Sequence, residues 1–236
     1  MKRLISGAVT ALALTTGHAQ DSAVTFNAAA VSDYRFRGIS QTRLRPALQA
    51  GADWAQGGWY AGTWLSTIRW THDAGGGGAL EWDVYGGRRG ELAGGWTYDV
   101  GVLGYAYPAN GLAPSADTLE LYGQLGRGPL TLKYSRATSN LFGVADSRGS
   151  GYLDASFNRE LGGGFVLNLH AGRQRVRAHA EASYTDWKAG LTRDFGVASV
   201  ALAYVGTNAR RTAYASPVNG KLTGRDAVVV TVSRTF

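Results

Sequence analysis

The sequence predicts an all-β fold, a transmembrane antiparallel up-and-down β-barrel of about twelve strands with short periplasmic turns and longer external loops. Three observations predict it: an N-terminal export signal, segments in which apolar and polar residues alternate, and connections that alternate between short and long. The composition agrees, since the 236 residues include 34 glycines and 11% aromatic residues. Glycine is costly inside helices, whereas Tyr, Trp and Phe favour strands.

The first residues have the layout of a secretory signal peptide. Basic residues at 2–3 precede an apolar stretch at 4–14, and Gly-His-Ala at 17–19 puts small residues before a cleavage point. The apolar stretch is too short to cross a bilayer as a helix, which takes about 20 residues. We therefore expect a signal peptide at 1–19 and one barrel domain at 20–236, in the outer membrane of a Gram-negative bacterium.

Strict alternation marks the predicted strands, because successive side chains of a strand point to opposite faces. In a barrel surrounded by lipid, the apolar set faces outward and the polar set faces the lumen. The clearest examples are residues 80–85, 118–122, 130–134, 153–158, 165–170 and 187–192.

Connections of two kinds separate these segments. Glycine-rich turns are expected near residues 57–58, 93–95, 126–128, 162–164 and 196. Longer polar connections are expected near residues 37–45, 71–79, 108–117, 139–150, 176–182 and 208–224. Short and long connections alternate, which predicts an even number of strands with both chain ends on the short-turn side.

Apolar and aromatic residues give two further signals. Val228, Val230 and Val232 alternate toward the terminal Phe236, an ending that looks like the signal by which the barrel-assembly machinery recognises its clients, so we expect that machinery as a partner. Tyr and Trp residues near the strand ends predict aromatic girdles at the two bilayer interfaces. The girdle candidates are Trp59, Tyr60, Trp70, Trp96, Tyr107, Tyr152 and Trp187.

A distinctive segment, SDYRFRGISQT at residues 32–42, precedes further short motifs that lie at 46–51, 58–64, 81–87, 98–101 and 105–108. This series resembles the TorF-type porin family of proteobacteria, most strongly over residues 27–125. The resemblance implies an outer-membrane barrel with a porin role for small solutes. It implies no substrate and no catalytic residue.

Charged residues within the alternating segments are candidates for the lining of a pore. A charge in the hydrocarbon costs about 2–4 kcal/mol at mid-bilayer, so such side chains are expected to face inward. They would form either a salt-bridge network that fills the barrel or a constriction that selects ions or small polar solutes. Acids outnumber bases, which suggests a preference for cations. The candidates are Asp33, Arg35, Asp53, Glu81, Asp83, Asp99, Glu120, Lys133, Asp154, His170, Asp186 and Lys188.

Arg35 and Arg37 flank Phe36 at the first long connection. Two uses are open for them. They could bind an anionic solute or the phosphates of lipopolysaccharide through charge-assisted hydrogen bonds. Alternatively, they could anchor the loop to nearby acids.

Other functional classes are less well supported by the sequence. The formal net charge is +7, but the Arg and Lys residues are scattered and alternate with acids. They form no basic stripe, so we expect no nucleic-acid partner. The chain has no cysteine, which excludes cysteine-ligated metal sites, and no cofactor is expected. An outer-membrane hydrolase would need Ser, His and an acid together, but no Ser lies two residues beyond His170. We therefore expect no enzyme, and a closed barrel that acts as a structural or adhesion protein through its loops stays as the alternative.

Overall fold

Twelve long antiparallel strands form one closed barrel in the computed structural model, which describes residues 22–236. The predicted fold class and strand number are thereby confirmed. The predicted signal peptide at 1–19 lies outside the described residues. No helix within 22–236 is long and apolar enough to cross a membrane.

The strands of the barrel wall are long, whereas the two strands within the first loop are short. The wall consists of β1 (Ala23–Val31), β4 (Ala47–Gln56), β5 (Trp59–Thr67), β6 (Leu80–Leu92), β7 (Trp96–Ala106), β8 (Thr118–Arg127), β9 (Leu130–Ala137), β10 (Gly151–Gly162), β11 (Phe165–Arg175), β12 (Tyr184–Asp194), β13 (Ser199–Thr207) and β14 (Ala227–Thr235). The two-residue strands β2 (Arg35–Phe36) and β3 (Ile39–Ser40) pair only with each other. Single helical turns are α1 (Trp70–Asp73), α2 (Arg211–Tyr214), and 3-10 turns at Ala93–Gly95 and Ala180–Ala182.

Closure depends on β1, which pairs with β4 on one side and with β14 on the other. At Asn27 the two partners are Gly51 and Thr235. The seam extends beyond the strands, because the Phe26 and Phe236 backbones exchange hydrogen bonds of 3.3 and 2.8 Å. A closed wall leaves no strand edge unpaired, which is the condition for β-structure in lipid.

The alternation of the sequence becomes an inside and an outside. Outward positions are apolar and exposed, as at Val228 (61%), Leu202 (54%) and Leu121 (53%). Inward positions are small or polar and buried, as at Ser66 (1%) and Ser135 (4%). This is the inverse of a soluble protein and presents a continuous apolar belt to the bilayer.

Five connections of two to four residues lie at one end of the barrel, and six longer loops lie at the other. The long loops are numbered here 1 (32–46), 2 (68–79), 3 (107–117), 4 (138–150), 5 (176–183) and 6 (208–226). Both described chain ends lie at the short-turn end, as the sequence predicts.

The prediction of an aromatic girdle is correct for only part of the set. Trp59, Trp96 and Trp187 face outward and are 56%, 41% and 38% exposed. At the short-turn end, Arg88 lies 5.3 Å from the Trp59 ring, a cation–π contact suited to a bilayer interface. The prediction is wrong for four residues that face inward or pack within loops, because a strand-end position does not determine the face: Tyr60, Trp70, Tyr107 and Tyr152.

Replacement of Val230 by Arg should lower the free energy of unfolding in lipid vesicles by about 2–4 kcal/mol, because the side chain lies on the lipid face near mid-strand. The matched control is Thr231→Arg, which points into the lumen, where water can solvate the charge. Urea titration followed by tryptophan fluorescence measures both. Equal losses for the two variants would contradict the assignment of faces.

Candidate functional site in the barrel lumen

Loop 1 folds into the barrel and narrows the lumen at the long-loop end. Residues 33–42, called here the inward loop, are almost entirely buried, with Asp33 at 6%, Ser40 at 2% and Thr42 at 2% exposure. A loop at the rim of a barrel would ordinarily be exposed. Its burial therefore reports contact with the inner wall, and the segment that carries it is the SDYRFRGISQT motif.

Local polar contacts give the inward loop its shape. Asp33 accepts hydrogen bonds from Arg35 Nε at 2.6 Å and Ser40 Oγ at 2.5 Å, which closes the small β2–β3 hairpin. The tip turns at Gly38, whose φ of +79° is unfavourable for other residues. A Cβ at Gly38 would lie 2.8 Å from Cβ of Asp186 and would also clash with Thr207. Only glycine lets the tip approach the wall this closely.

Arg37 joins the tip of the inward loop to the opposite wall. Its guanidinium donates to Glu120 Oε2 at 2.6 Å and to Gln174 Oε1 at 2.8 Å, and it lies 4.2 Å from the Tyr152 ring. Burial disfavours the charged guanidinium, but the Glu120 carboxylate more than offsets this and holds the pKa of Arg37 above its ordinary value. The pair thus crosses the lumen as a charged strut.

Tyr34 of the inward loop contacts Glu81, one of two neighbouring carboxylates whose oxygens are only partly hydrogen-bonded. Tyr34 donates its hydroxyl to Glu81 Oε1 at 3.2 Å. Burial, together with the nearby Glu81 and Asp83, raises the pKa of Tyr34, so the hydroxyl stays protonated. Glu81 Oε2 and Asp83 Oδ1 are buried and have no hydrogen-bond partner among residues 22–236. The hydrogen-bonding capacity of the two carboxylates is therefore only partly satisfied by the described residues.

Two other loops hold the inward loop from behind. In loop 6, the Thr223 carbonyl accepts the Ser40 N–H at 3.0 Å, and the Arg225 carbonyl accepts from Arg35 at 2.8 Å. In loop 2, the Arg69 N–H donates to the Gln41 carbonyl at 2.8 Å. The inward loop is therefore fixed on both flanks and at its tip.

The charged residues predicted from the sequence lie on two facing walls. One wall carries only acids from the predicted set, namely Asp53, Glu81, Asp83, Asp99 and Glu120 on β4 and β6–β8. The other wall is mixed and carries Lys133, Asp154, His170, Asp186 and Lys188 on β9–β12. Asp33 and Arg35 belong to the inward loop between the walls. All twelve candidates thus point away from the lipid. The wall residues nearest the inward loop are buried, namely Glu81, Asp83, Glu120 and Asp186. The wall residues farther from it are partly exposed, namely Asp53, Asp99, Lys133, Asp154, His170 and Lys188.

Sequence reasoning missed several side chains of the same space. Tyr85 donates to Asp53 at 2.6 Å and Tyr60 donates to Asp99 at 2.5 Å, while Lys133 Nζ lies 3.8 Å from the Tyr122 ring. Each of the three tyrosine rings occupies space that a Cβ would take at a glycine of the neighbouring strand, and the pairs are Tyr85–Gly62, Tyr60–Gly87 and Tyr122–Gly101. The only signal in the sequence is their position on the polar side of the alternation.

His170 and Ser156 come together in a way that the sequence does not reveal. They are cross-strand partners on β11 and β10, and Ser156 Oγ lies 3.5 Å from His170 Nδ1. Both ring nitrogens face carboxylates, however, with Asp186 at 2.7 Å and Asp154 at 3.0 Å. Ser156 itself donates to Asp154 at 2.8 Å. A ring whose two nitrogens both donate has no lone pair to accept the Ser156 proton, so this trio lacks the geometry of a nucleophile and its base.

The inner surface offers no evident metal centre. Within residues 22–236, no three His, Asp or Glu side chains are arranged to hold a metal ion.

The orientation of Arg35 and Arg37 matches the anchoring interpretation, because their side chains are only 4% and 7% exposed and form ion pairs with Asp33 and Glu120. Neither reaches the membrane face of the barrel.

Comparison with known proteins identifies both a family and a fold. Residues 16–236 match the family described as "Bacterial protein of unknown function (Gcw_chp)". No curated protein matches the chain in sequence. The TorF-type resemblance stays a prediction, since the matching family is described under another name.

Two solved porins share the architecture. A structure of the KdgM porin in complex with disordered oligogalacturonate gives a TM-score of 0.55 at 5% identity, over 92% of this chain and 98% of that one. The NanC porin gives 0.54 at 13% identity, over 90% and 98%. At such identities the similarity shows a common fold and leaves substrate open.

Replacement of Arg37 by Gln should cost about 3–5 kcal/mol of unfolding free energy, because it leaves Glu120 buried without its partner. The double variant Arg37→Gln/Glu120→Gln should recover much of that loss, since neither charge is then stranded. Urea unfolding in detergent measures the single variants and the double variant as one cycle. A single variant as stable as the parent would show that the strut is absent in solution.

Proposed function

This chain is a member of the Gcw_chp family, and we propose that it is a porin-like channel of the Gram-negative outer membrane, through which ions and small polar solutes diffuse passively. The observation that carries the proposal is a closed twelve-stranded barrel whose lumen is polar and partly exposed below the inward loop. At the long-loop end, the inward loop and the aromatic residues packed against it narrow that lumen. A twelve-stranded barrel is intermediate in width between small barrels, whose interior is filled by side chains, and wide barrels, which leave an aqueous channel. A loop within the lumen then determines the size of the passage.

Partial exposure of the lumen below the inward loop supports a water-filled path. Asp154 is 25% exposed at its side chain, and Asp53, Asp99 and Lys188 are also intermediate in burial. Side chains that filled the barrel completely would be buried at this level. The restriction is therefore concentrated at the long-loop end, where Glu81 and Glu120 are 1% and 2% exposed.

The charge distribution favours cations and disfavours acidic solutes. Five carboxylates from the predicted set lie on one wall, and the inward base on those same strands is Arg89, which lies 5.1 Å from the Tyr60 ring. A ring or wall of carboxylates raises the local concentration of cations in a pore. The KdgM structure holds oligogalacturonate, which is a polyanion. We expect this chain to disfavour such a solute.

Purified barrel inserted into planar bilayers should produce discrete conductance steps, because charged side chains in the lumen below the inward loop are partly exposed to solvent. Swelling of liposomes in small neutral sugars gives an independent measure of uptake. Absence of conductance at every voltage and pH, together with absence of swelling, would overturn the channel and leave the structural or adhesion role of the loops.

The variant Asp53→Asn/Asp99→Asn should lower the permeability ratio of K⁺ over Cl⁻, since it removes two partly exposed carboxylates of the acidic wall. Reversal potentials under a KCl gradient measure that ratio. The matched control is Glu91→Gln/Glu160→Gln, which removes the same charge from exposed positions at the short-turn end. An unchanged ratio in the Asp53/Asp99 variant, or an equal fall in the control, would refute the acidic wall as the selecting element.

A further inference from the structure

A group of five arginines, called here the rim arginines, covers one sector of the outer surface at the long-loop end. Its members come from β9, loop 4, β11 and loop 5, and all five are exposed: Arg136, Arg148, Arg173, Arg175 and Arg177. Arg136, Arg173 and Arg175 occupy outward strand positions, because the residues on either side of each are buried. They therefore point toward the bilayer and away from the lumen.

The rim arginines converge through the register of three strands. Gly151 on β10 is paired with Arg136 on one side and with Arg175 on the other, so two cations flank a residue without a side chain. A Cβ at Gly149 would lie 3.6 Å from Arg136 Nη2 and 3.6 Å from Arg177 Nη1. The two guanidinium groups thus lie close to the same loop glycine. Convergence of this kind is suited to a doubly charged anion with several oxygens.

Within the part of the chain that the structure describes, no carboxylate forms an ion pair with a rim arginine. Among residues 22–236, the arginines that form ion pairs with carboxylates are Arg35, Arg37 and Arg43. The contacts of the rim arginines are neutral ones, such as Arg177 on the Arg148 carbonyl at 3.1 Å and Arg173 on Thr185 Oγ1 at 3.1 Å. Gathering like charges without a counterion costs free energy, so an external anion would stabilise the sector.

The rest of the outer rim is of a different character. Outward positions at the same end of other strands are apolar, as at Leu48 (67% exposed), Leu119 (44%) and Val228 (61%). Several arginines at the short-turn end stack on aromatic rings, as Arg88 does on Trp59 and Arg127 on Trp96. Among the outward strand positions at the long-loop end, exposed arginines are therefore found on β9 and β11.

We propose that the rim arginines bind the phosphate groups of a phosphorylated glycolipid in the outer leaflet, with its acyl chains against the apolar wall below. Leu153, which is 44% exposed, is paired with Arg173 and begins that apolar wall. Arginine forms bidentate hydrogen bonds with phosphate, and the bilayer surface supplies such phosphates at this height. The inference rests on the orientation that puts the long loops outside the cell and is independent of whether the lumen conducts.

Native mass spectrometry of the full barrel in detergent tests the site with three defined lipids: diphosphoryl lipid A, lipid A without phosphates, and phosphatidylglycerol. The parent protein should retain diphosphoryl lipid A in preference to the other two. The variant Arg136→Gln/Arg175→Gln/Arg177→Gln should bind it at least about tenfold more weakly, since each lost guanidinium–phosphate contact is worth about that much.

The matched control is Arg88→Gln/Arg127→Gln/Arg193→Gln, which removes the same charge at the short-turn end and should bind diphosphoryl lipid A as the parent does. Circular dichroism and conductance of each variant separate a loss of lipid from a loss of fold or of channel. Equal binding by the rim variant and the parent would overturn the proposal. Equal binding of phosphatidylglycerol and lipid A by the parent would also overturn it, since the sector would then recognise any anionic lipid.

Discussion

Pairing of every backbone group is the constraint on which this molecule depends. In hydrocarbon an unpaired N–H or C=O costs several kcal/mol, so a sheet is stable there only when its first strand meets its last. β1 meets both β4 and β14, and the contact between Phe26 and Phe236 carries the seam to the chain end. Once the ring is closed, the period-two geometry of the strands directs each alternate side chain to lipid or to lumen. The location of every charge discussed above follows from that closure.

Within the ring, charge neutralisation shapes the lumen. The inward loop brings Arg35 and Arg37 to Asp33 and Glu120, and it brings the Tyr34 hydroxyl to Glu81. Among residues 22–236, Glu81 Oε2 and Asp83 Oδ1 are left without hydrogen-bond partners. The long-loop end of the lumen is thus held by a network of ion pairs and hydrogen bonds. Ion pairs of the kind expected for a salt-bridge network are present at this level, and a selective constriction stays a proposal.

The fold and the inward set of charges could be predicted from the sequence because both depend on local pattern. Alternation at residues 80–85 suffices to put Glu81 and Asp83 on the inner face. Contacts between distant segments could not be predicted, because Arg37 meets Glu120 and Gln174 at separations of 83 and 137 residues. Strand register was equally hidden, which is why Ser156 opposite His170 was missed.

The aromatic residues show a related limit. Tyr60 and Trp59 are adjacent near a strand end, yet one faces the lumen and the other faces the lipid. Moving one residue along a strand reverses the face to which the side chain points. Counting every aromatic residue near a strand end therefore predicted more girdle residues than the structure has. The rim arginines were likewise invisible as a group, since Arg136 and Arg175 become neighbours only through Gly151 between them.

The anchorage of the inward loop also imposes an order of events during biogenesis. The loop belongs to the first hairpin of the barrel, but Thr223 and Arg225, which hold its back, belong to the last. The two hairpins stand at opposite ends of the chain, so the loop and these carbonyls come together only when β1 pairs with β14. The inward loop therefore reaches its anchored position only as the ring closes.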